Sequence, residues 1–422
     1  MEQLTQRLET AFAKVARNKG APGPDKQSIE DVEKNLNKII PQLQADLLEG
    51  KYTPGQIRRV YIPKSKGKRG LGIPNVVDRI VQEALRELIE PIYEPTFHQS
   101  SHGFRPNKGC HTAIREAKSY IEEGKEWVVD IDLERYFDTV NHDRLLSKLR
   151  ERIEDQRILR LIRKMLKAKV VMPDGVVIEV KEGVPQGSPL SPLLSNIILD
   201  ELDRKLTKRG HTHVRYADDC NIYVRSERAG HRVMESITQF IEKRMRLKVN
   251  REKSSVSKSG DRHFLGFRLH RDPLEGEVKI LLSNRSKERI AKRIKELTPR
   301  NWGSTLEHCI TRLNRYLKGW TSYFHVCTGN NDCKTIDSHI RRRLRCLILK
   351  QWKRKRTIAR KLIAKGVNRK TAWRRVYMRS RSLWSLSIDI VVHKGLPNKY
   401  FEKEGLCSLA ELWKAKQIVI SN

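Results

Sequence analysis

Tyr216-Ala217-Asp218-Asp219 lies between two short runs, His213-Val214-Arg215 and Cys220-Asn221-Ile222-Tyr223-Val224. Their β-branched and aromatic content favours extended chain, so a tight turn centred near Ala217 and Asp218 presents adjacent carboxylates at a hairpin tip. An Asp-Asp pair in a turn is often only a hydrated tip. The upstream run Trp127-Val128-Val129-Asp130-Ile131-Asp132-Leu133 adds acids at alternate positions of an apolar strand, which places Asp130 and Asp132 on one face. Burying carboxylates without compensation is costly, so such acids imply a strand end, a cationic partner or a bound metal. Hard oxygen ligands from two strands suit Mg²⁺, which keeps several waters and takes one or two carboxylates plus substrate phosphates. The set fits nucleotidyl transfer with two Mg²⁺ ions roughly 3.5–4 Å apart, one lowering the pKa of a primer 3′-hydroxyl and the other steadying the pyrophosphate oxygens. No side-chain nucleophile is required.

The partner follows from charge. The 422 residues carry 86 Lys and Arg against 50 Asp and Glu, a formal net charge of +36. Such an excess calls for a polyanion, because each neutralised phosphate releases counterions. Mean hydropathy is −0.62, and no run approaches the roughly 18 apolar residues of a spanning helix, so no membrane partner is expected. Leu4, Leu8, Phe12 and Val15 space as an amphipathic helix interrupted by charges rather than as a secretory leader. The 7 cysteines show no Cys-x-x-Cys pair; this fits a reduced, cytoplasmic compartment and excludes a cysteine-bound zinc module. Residues 301–400 hold 24 Lys and Arg against 4 Asp and Glu, so the C-terminal part is the stronger candidate for gripping nucleic acid.

The elements that must position the acids are legible in outline. An opening helix leads to the loop Gly20-Ala21-Pro22-Gly23-Pro24-Asp25, and a second helix is expected from about Ser28 to Leu48. The strand Arg58 to Lys64 runs into the turn Ser65 to Gly70, whose glycines and cations can cradle a triphosphate. Val77, Ile80, Val81, Ala84, Leu85, Leu88 and Ile92 form a helical stripe that Pro91 helps to end. The loop His102-Gly103-Phe104-Arg105-Pro106 precedes a helix from about Thr112 to Glu122, and Arg105 is a candidate contact to template or nucleotide. Helical patterns cover roughly 142–168, with a hairpin at Pro173-Asp174-Gly175. The loop Gly183 to Pro189 feeds a helix with Ser191 as N-cap and Pro192 in its first turn. A helix over about 229–245, then Leu247 to Lys253 and Phe264 to Phe267, completes a strand–helix–hairpin–helix–strand order, an α+β sheet domain with helices on one face. Beyond about Ser283 helices dominate. Ser304-Thr305-Leu306-Glu307 reads as a capping box, and Arg341, Arg342, Arg343 and Arg345 give one helix a basic exterior. From Arg354 to Arg381 cations alternate with Trp373 and Tyr377, and Trp384 follows; this mixture suits phosphate contacts and base stacking, or a small core under a solvated basic surface.

The ordered motifs carry a resemblance. Gly20-Ala21-Pro22-Gly23, Ile62-Pro63-Lys64, Leu71-Gly72-Ile73-Pro74, His102-Gly103-Phe104-Arg105-Pro106, Phe137-Asp138, Pro185-Gln186-Gly187-Ser188-Pro189-Leu190-Ser191-Pro192, Tyr216-Ala217-Asp218-Asp219, Leu265-Gly266-Phe267, Gly319-Trp320-Thr321-Ser322-Tyr323-Phe324 and Gln351-Trp352-Lys353 resemble a group II intron-encoded reverse transcriptase, or maturase, over nearly the whole chain. The resemblance implies an α+β right-hand polymerase of fingers, palm and thumb. An N-terminal helical extension would cover 1–50, fingers and palm 51–282, a thumb or maturase helical domain 283–355, and a basic, mostly helical DNA-binding-like region 356–422. It assigns Asp132, Asp218 and Asp219 to catalysis and metal binding, with Asp130 in reserve. Phe137 becomes a steric gate that favours dNTP over NTP, Lys64 and Arg69 hold the triphosphate, Gln186 lines the nucleotide pocket, and Lys253 lies near primer or incoming nucleotide. Nucleic acid would be held by Arg105, Arg341, Arg342, Arg343, Arg345, Lys353, Arg374 and Arg375. Lys26 stands where relatives commonly have glycine, and Ser188 replaces a frequent second glycine after Gln186.

The implied activity is RNA-directed DNA polymerisation by a protein that also binds its intron RNA to assist splicing and supports mobility at target DNA. Its partners would be the intron RNA, an RNA template with a DNA primer, and target DNA. The chain reaches Asn422 without the Cys-rich nuclease segment of many relatives, which resembles the small bacterial subgroup C members. Two alternatives stand beside this: a splicing cofactor with a vestigial polymerase centre, and a polymerase in host repair or defence.

Overall fold

Alternation of apolar and polar side chains resolves into ten strands among the described residues, which in this computed structural model are 1–63, 67–299, 303, 305–378 and 382–421. They are β1 (Ile57–Pro63), β2 (Lys68–Ile73), β3 (Trp127–Ile131), β4 (Val170–Val171), β5 (Val177–Ile178), β6 (Thr212–Tyr216), β7 (Asp219–Val224), β8 (Ser255–Lys258), β9 (Phe267–Arg271) and β10 (Val278–Leu282). The chain divides into two compact units, Met1–Ser259 and Gly260–Asn422.

In the first unit a central antiparallel sheet has the order β6-β7-β3-β8. Register is decisive for chemistry, because a one-residue slip would turn every side chain to the opposite face. Asp130 pairs with Asn221 and Ile131 with Cys220 across β3 and β7; Arg215 pairs with Cys220 and Tyr216 with Asp219 across β6 and β7. Val129, Ile131, Cys220, Ile222 and Val224 therefore share one face and join the main apolar core. Helix Glu227–Phe240 covers that face, and Gly230 permits the approach: a Cβ there would stand 2.5 Å from Val256 Cγ1. Helix Ser191–Lys208 brings Leu194, Ile197, Ile198, Leu202 and Leu206 into the same core, as their spacing predicts. A second sheet, β2-β1-β4-β5, has β1 antiparallel to β2 and parallel to β4. The expected hairpin at Pro173-Asp174-Gly175 joins β4 to β5, with Gly175 at φ +88°.

Several local expectations are corrected. Asn35 breaks the expected second helix into Ile29–Lys34 and Leu36–Leu48; Ser28 caps the first piece in a reciprocal box with Asp31. The stripe helix continues to Tyr93, two residues past Pro91, because proline blocks the hydrogen bond of its own nitrogen and not those of the residues after it. Ser191 is not the N-cap. It is already helical, and its hydroxyl donates to Pro185 O at 2.8 Å. Leu247 to Lys253 contributes only a bridge from Val249 to Leu133, and the paired strand is β8.

The second unit opens with the β9–β10 hairpin and continues as helices, including Asn284–Leu297, Leu306–Phe324, Asn331–Gln351, Lys355–Ala364 and Leu409–Ser421. Ile310, Leu313, Leu317 and Trp320 face its core with Ile340, Leu344, Leu347 and Ile348, as expected from their spacing. Thr305 caps the helix from Leu306 by accepting from the His308 N–H; Ser304, half of the expected box, lies outside the described residues.

Candidate active site

The hairpin tip is a two-residue turn, Ala217-Asp218, closed by the Tyr216–Asp219 pair. Ala217 takes φ +56°, a left-handed conformation that costs a non-glycine residue about 1–2 kcal/mol. A built scaffold holds it there. The Arg215 side chain, 0% exposed, donates from Nη1 to Ala217 O at 2.9 Å and to Asn196 Oδ1 at 3.0 Å. From Nη2 it donates to Ser101 Oγ at 2.7 Å and Asp203 Oδ2 at 2.6 Å, and from Nε to Asp203 Oδ1 at 2.8 Å. Asn196 in turn donates to Gly103 O at 2.9 Å, and a Cβ on Gly103 would come within 2.3 Å of Ala217 N. Burial alone would raise the Asp203 pKa, yet the Arg215 and His213 partners hold the carboxyl well below the usual carboxylate range.

On the opposite face, β3 ends with Ile131 paired to Cys220, so Asp132 follows the last residue of β3 while Asp219 opens the neighbouring β7. The backbone after β3 is pinned: the Asp132 N–H donates to Ser254 Oγ at 3.0 Å, and Asp132 O accepts from the Asn250 N–H at 2.9 Å. Lys253 Nζ comes to 3.9 Å from Asp132 Oδ1, an ammonium drawn to the edge where a cation is expected. Among the described residues no three His, Cys, Asp or Glu side chains are grouped closely enough to hold a metal ion, so Asp132, Asp218 and Asp219 do not form a ready-made cage.

Asp218 also lies near the short helix Tyr136–Thr139. Burial, with the Asp218 charge adding to it, pushes the Tyr136 hydroxyl well above the phenol range, and this hydroxyl donates to Ser195 O at 3.0 Å. Phe137, half-buried, packs edge-on against Tyr136 with centroids 5.3 Å apart. The Gln186 loop docks on both neighbours of this region. The Val184 N–H donates to Phe137 O at 2.6 Å, and the Gly72 N–H of β2 donates to Gln186 O at 2.7 Å. Gly187, at φ +118°, leaves no space for a side chain, since a Cβ would stand 2.5 Å from Gly72 O. Ser188 is buried inside the loop, where its Oγ accepts from the Leu190 N–H. Gln186 is half-buried and Arg69 is exposed on β2 opposite Ile62; Lys64 lies outside the described residues.

Three candidate nucleic-acid contacts are corrected by burial. Arg105 turns inward, paired bidentately with Glu94 and donating to His98 O and Ser101 O, with Phe97 beneath its guanidinium. Arg343 donates to Thr298 Oγ1 and O, and Arg345 to Leu396 O and Asn398 Oδ1. Both lie on the enclosed stretch of Asn331–Gln351 rather than its exterior, where desolvation of an unpaired guanidinium would be costly. Arg342 stacks 3.9 Å above Trp384 and is half-buried like Arg341; Lys353 and Arg374 are exposed, and Arg375 approaches Asp389 at 3.9 Å. Trp373 stacks on Tyr377 at 5.5 Å and packs against the core. Lys26, in the position relatives commonly give to glycine, takes φ +61°.

Sequence reasoning missed Arg215, Asp203, Asn196 and Gly103 as parts of the site. One signal was available: Arg215 interrupts an apolar strand flank immediately before the turn, and its period-two position sets it inward.

Comparison with known proteins bears on the family of the chain. Residues 62–269 match the model of the reverse transcriptase (RNA-dependent DNA polymerase), and residues 287–365 that of the group II intron maturase-specific domain. The chain is 36% identical over 313 residues to protein YkfC of Escherichia coli (strain K12), covering 64% of this chain and 81% of YkfC. It is 40% identical over 201 residues to the group II intron-encoded protein LtrA of Lactococcus lactis subsp. cremoris, covering 46% of this chain but only 32% of LtrA. A solved telomerase from Candida albicans overlaps loosely, with TM-score 0.44 and 13% identity over 74% of this chain and 64% of that one. No helix among the described residues is long and apolar enough to cross a membrane. The chain belongs to the group II intron reverse transcriptases and maturases, with an α+β reverse transcriptase-like fold, an RNA-dependent DNA polymerase domain and a helical maturase region.

Proposed function

We propose that this protein copies RNA into DNA for a group II intron, binds that intron's RNA to promote splicing, and supports its mobility by target-primed reverse transcription. The observation that supports the reading is the register that pairs Ile131 with Cys220 and Tyr216 with Asp219, since it runs the strand leading into Asp132 alongside the strand that opens at Asp219. In this reading the central sheet is the palm, β1 and β2 belong to the fingers, and the helices after β10 form the thumb and the DNA-binding-like region. When bound, two Mg²⁺ ions supply a lowered pKa for the primer 3′-hydroxyl and charge neutralisation at the leaving pyrophosphate. Asp132, Asp218 and Asp219 provide the oxygen ligands.

The remaining residues position substrate. Arg69, exposed on β2, and Lys64 hold the triphosphate of the dNTP. Gln186 lines the base side of the pocket, its carbonyl tied to β2 through Gly72. Phe137 occupies the space a ribose 2′-hydroxyl needs, and its carbonyl is fixed by Val184. Lys253 adds a cation beside Asp132, near primer or incoming nucleotide. Lys353 and Arg374, with Arg341, Arg342 and Arg375, supply phosphate contacts to intron RNA and target DNA. Primer extension on an RNA template with Mg²⁺ tests the polymerase half: Asp132→Ala should abolish cDNA synthesis, and unchanged synthesis overturns the reading. Titrating the intron RNA while splicing is followed tests the maturase half, which fails if splicing is indifferent to the protein.

A further inference from the structure

The geometry points to Arg215 as a positioning residue that sets the cation affinity of the polymerase centre, acting from the face of the sheet opposite to the carboxylates. The inference rests on the reading that Asp218 and Asp219 hold the ions, and concerns what fixes them in place.

A guanidinium has five N–H donors in a rigid fork. Here every one is committed. Nε and one Nη2 hydrogen go to Asp203, the other Nη2 hydrogen to Ser101 Oγ, and the two Nη1 hydrogens to Asn196 Oδ1 and Ala217 O. The backbone is held as well, since the Arg215 N–H donates to Ser100 O and Arg215 O accepts from the His102 N–H, each at 2.8 Å. These partners come from helix Ser191–Lys208 and from the 100–103 loop, so Arg215 ties two separate elements to the turn.

The tie reaches the carboxylates through one carbonyl. Ala217 O is the backbone group immediately before Asp218, and Ala217 is held at φ +56° with Gly103 pressed behind it. A residue strained in this way keeps its conformation only where surrounding structure over-determines it. Loosening Arg215 therefore lets the Ala217–Asp218 peptide relax, and the two carboxylates lose their fixed spacing while all their ligand atoms remain. The consequence is weaker ion binding with intact chemistry, the behaviour of partners that orient a metal's ligands from behind.

Two measurements with the full chain test this: Mg²⁺ binding by calorimetric titration without substrate, and primer extension on an RNA template across a range of Mg²⁺ concentrations. Arg215→Lys keeps a charge for Asp203 but has only three N–H donors and no fork. Its half-saturating Mg²⁺ should rise about 10–100-fold, with the rate largely restored at saturating Mg²⁺. A merely structural role would lower the amount of active protein and scale the rate equally at every Mg²⁺ concentration. Asn196→Ala cuts the links to Nη1 and to Gly103 O without touching the ion pair; it should shift the half-saturation point in the same direction, and it decides the matter if Arg215→Lys does not fold. Wild-type Mg²⁺ dependence in the folded variants overturns the inference. Undiminished extension by Asp218→Asn/Asp219→Asn would instead overturn the assignment of the ligands on which it rests.

Discussion

Removing Asp203 and Arg215 together should damage the first unit much less than the sum of removing each alone. Both side chains are 0% exposed and meet at 2.6 Å. A buried pair of this kind repays its desolvation only while both partners are present; deleting one leaves an uncompensated charge and costs about 3–5 kcal/mol. For Asp203→Leu this corresponds to a fall in the melting temperature of roughly 6–20 °C, at about 2–4 °C per kcal/mol for a unit of this size. Asp203→Leu/Arg215→Met removes the stranded charge. It leaves Asn196 Oδ1, Ala217 O and Ser101 Oγ without the Arg215 donor, at about 1 kcal/mol or more each, so recovery is partial. The double-mutant cycle should show a coupling of about 2 kcal/mol or more. Urea denaturation followed by hydrogen exchange over residues 212–224 measures it locally. Additive losses would refute the account of a mutually dependent pair. The pH dependence has a definite sign: the folded-state carboxyl is depressed, so its stabilisation is present above the ordinary aspartate pKa and disappears as pH falls through the lower folded value.

Three further outcomes follow from single contacts. Glu116 accepts from Ser100, His102 and Tyr120; burial opposes ionisation, yet these bonds bring its pKa from 4.5 to about 2. Its contribution is therefore present above 4.5 and lost as pH falls towards 2, and Glu116→Gln should lose less stability than wild type between neutral and acid urea titrations. Gly183→Ala should cost about 1–3 kcal/mol, because φ is +96° and a Cβ would stand 2.9 Å from Phe137 O and Asp138 O; a displaced Phe137 should also raise NTP incorporation relative to dNTP, which competitive extension measures. Asp337 accepts from the N–H groups of Leu409 and Ala410 and from the Ser408 hydroxyl, capping helix Leu409–Ser421 from a distant helix. Asp337→Ala should cost about 2–3 kcal/mol and accelerate hydrogen exchange over residues 409–418; unchanged exchange would remove that capping role.

The acids were legible because each interrupts an apolar run, and a period of two converts interruption into direction. That logic located Asp130, Asp132 and the Asp218–Asp219 turn, and helical spacing located the inward faces of Ser191–Lys208 and Leu306–Phe324. It could not locate Arg215's partners, because Ser101 lies 114 residues away and nothing local announces the contact. The same blindness misdirected Arg105, Arg343 and Arg345. An arginine in a loop or on a basic helix reads as solvent-facing until a carboxylate such as Glu94, or a ring of carbonyls, is folded against it. Leu247 to Lys253 carried strand-like composition, but Val249 bridges Leu133 alone while Ser255 to Lys258 lies along β3, a choice made by tertiary pairing and not by propensity.

In the proposed function, carboxylates from two neighbouring strands serve one polymerase centre. Mg²⁺-dependent extension of a primer on an RNA template by Asp218→Ala/Asp219→Ala, with RNA affinity measured in parallel, tests it most directly. Synthesis should vanish while affinity is kept or rises, since two fewer negative charges repel phosphate less; synthesis at the wild-type rate would contradict the account.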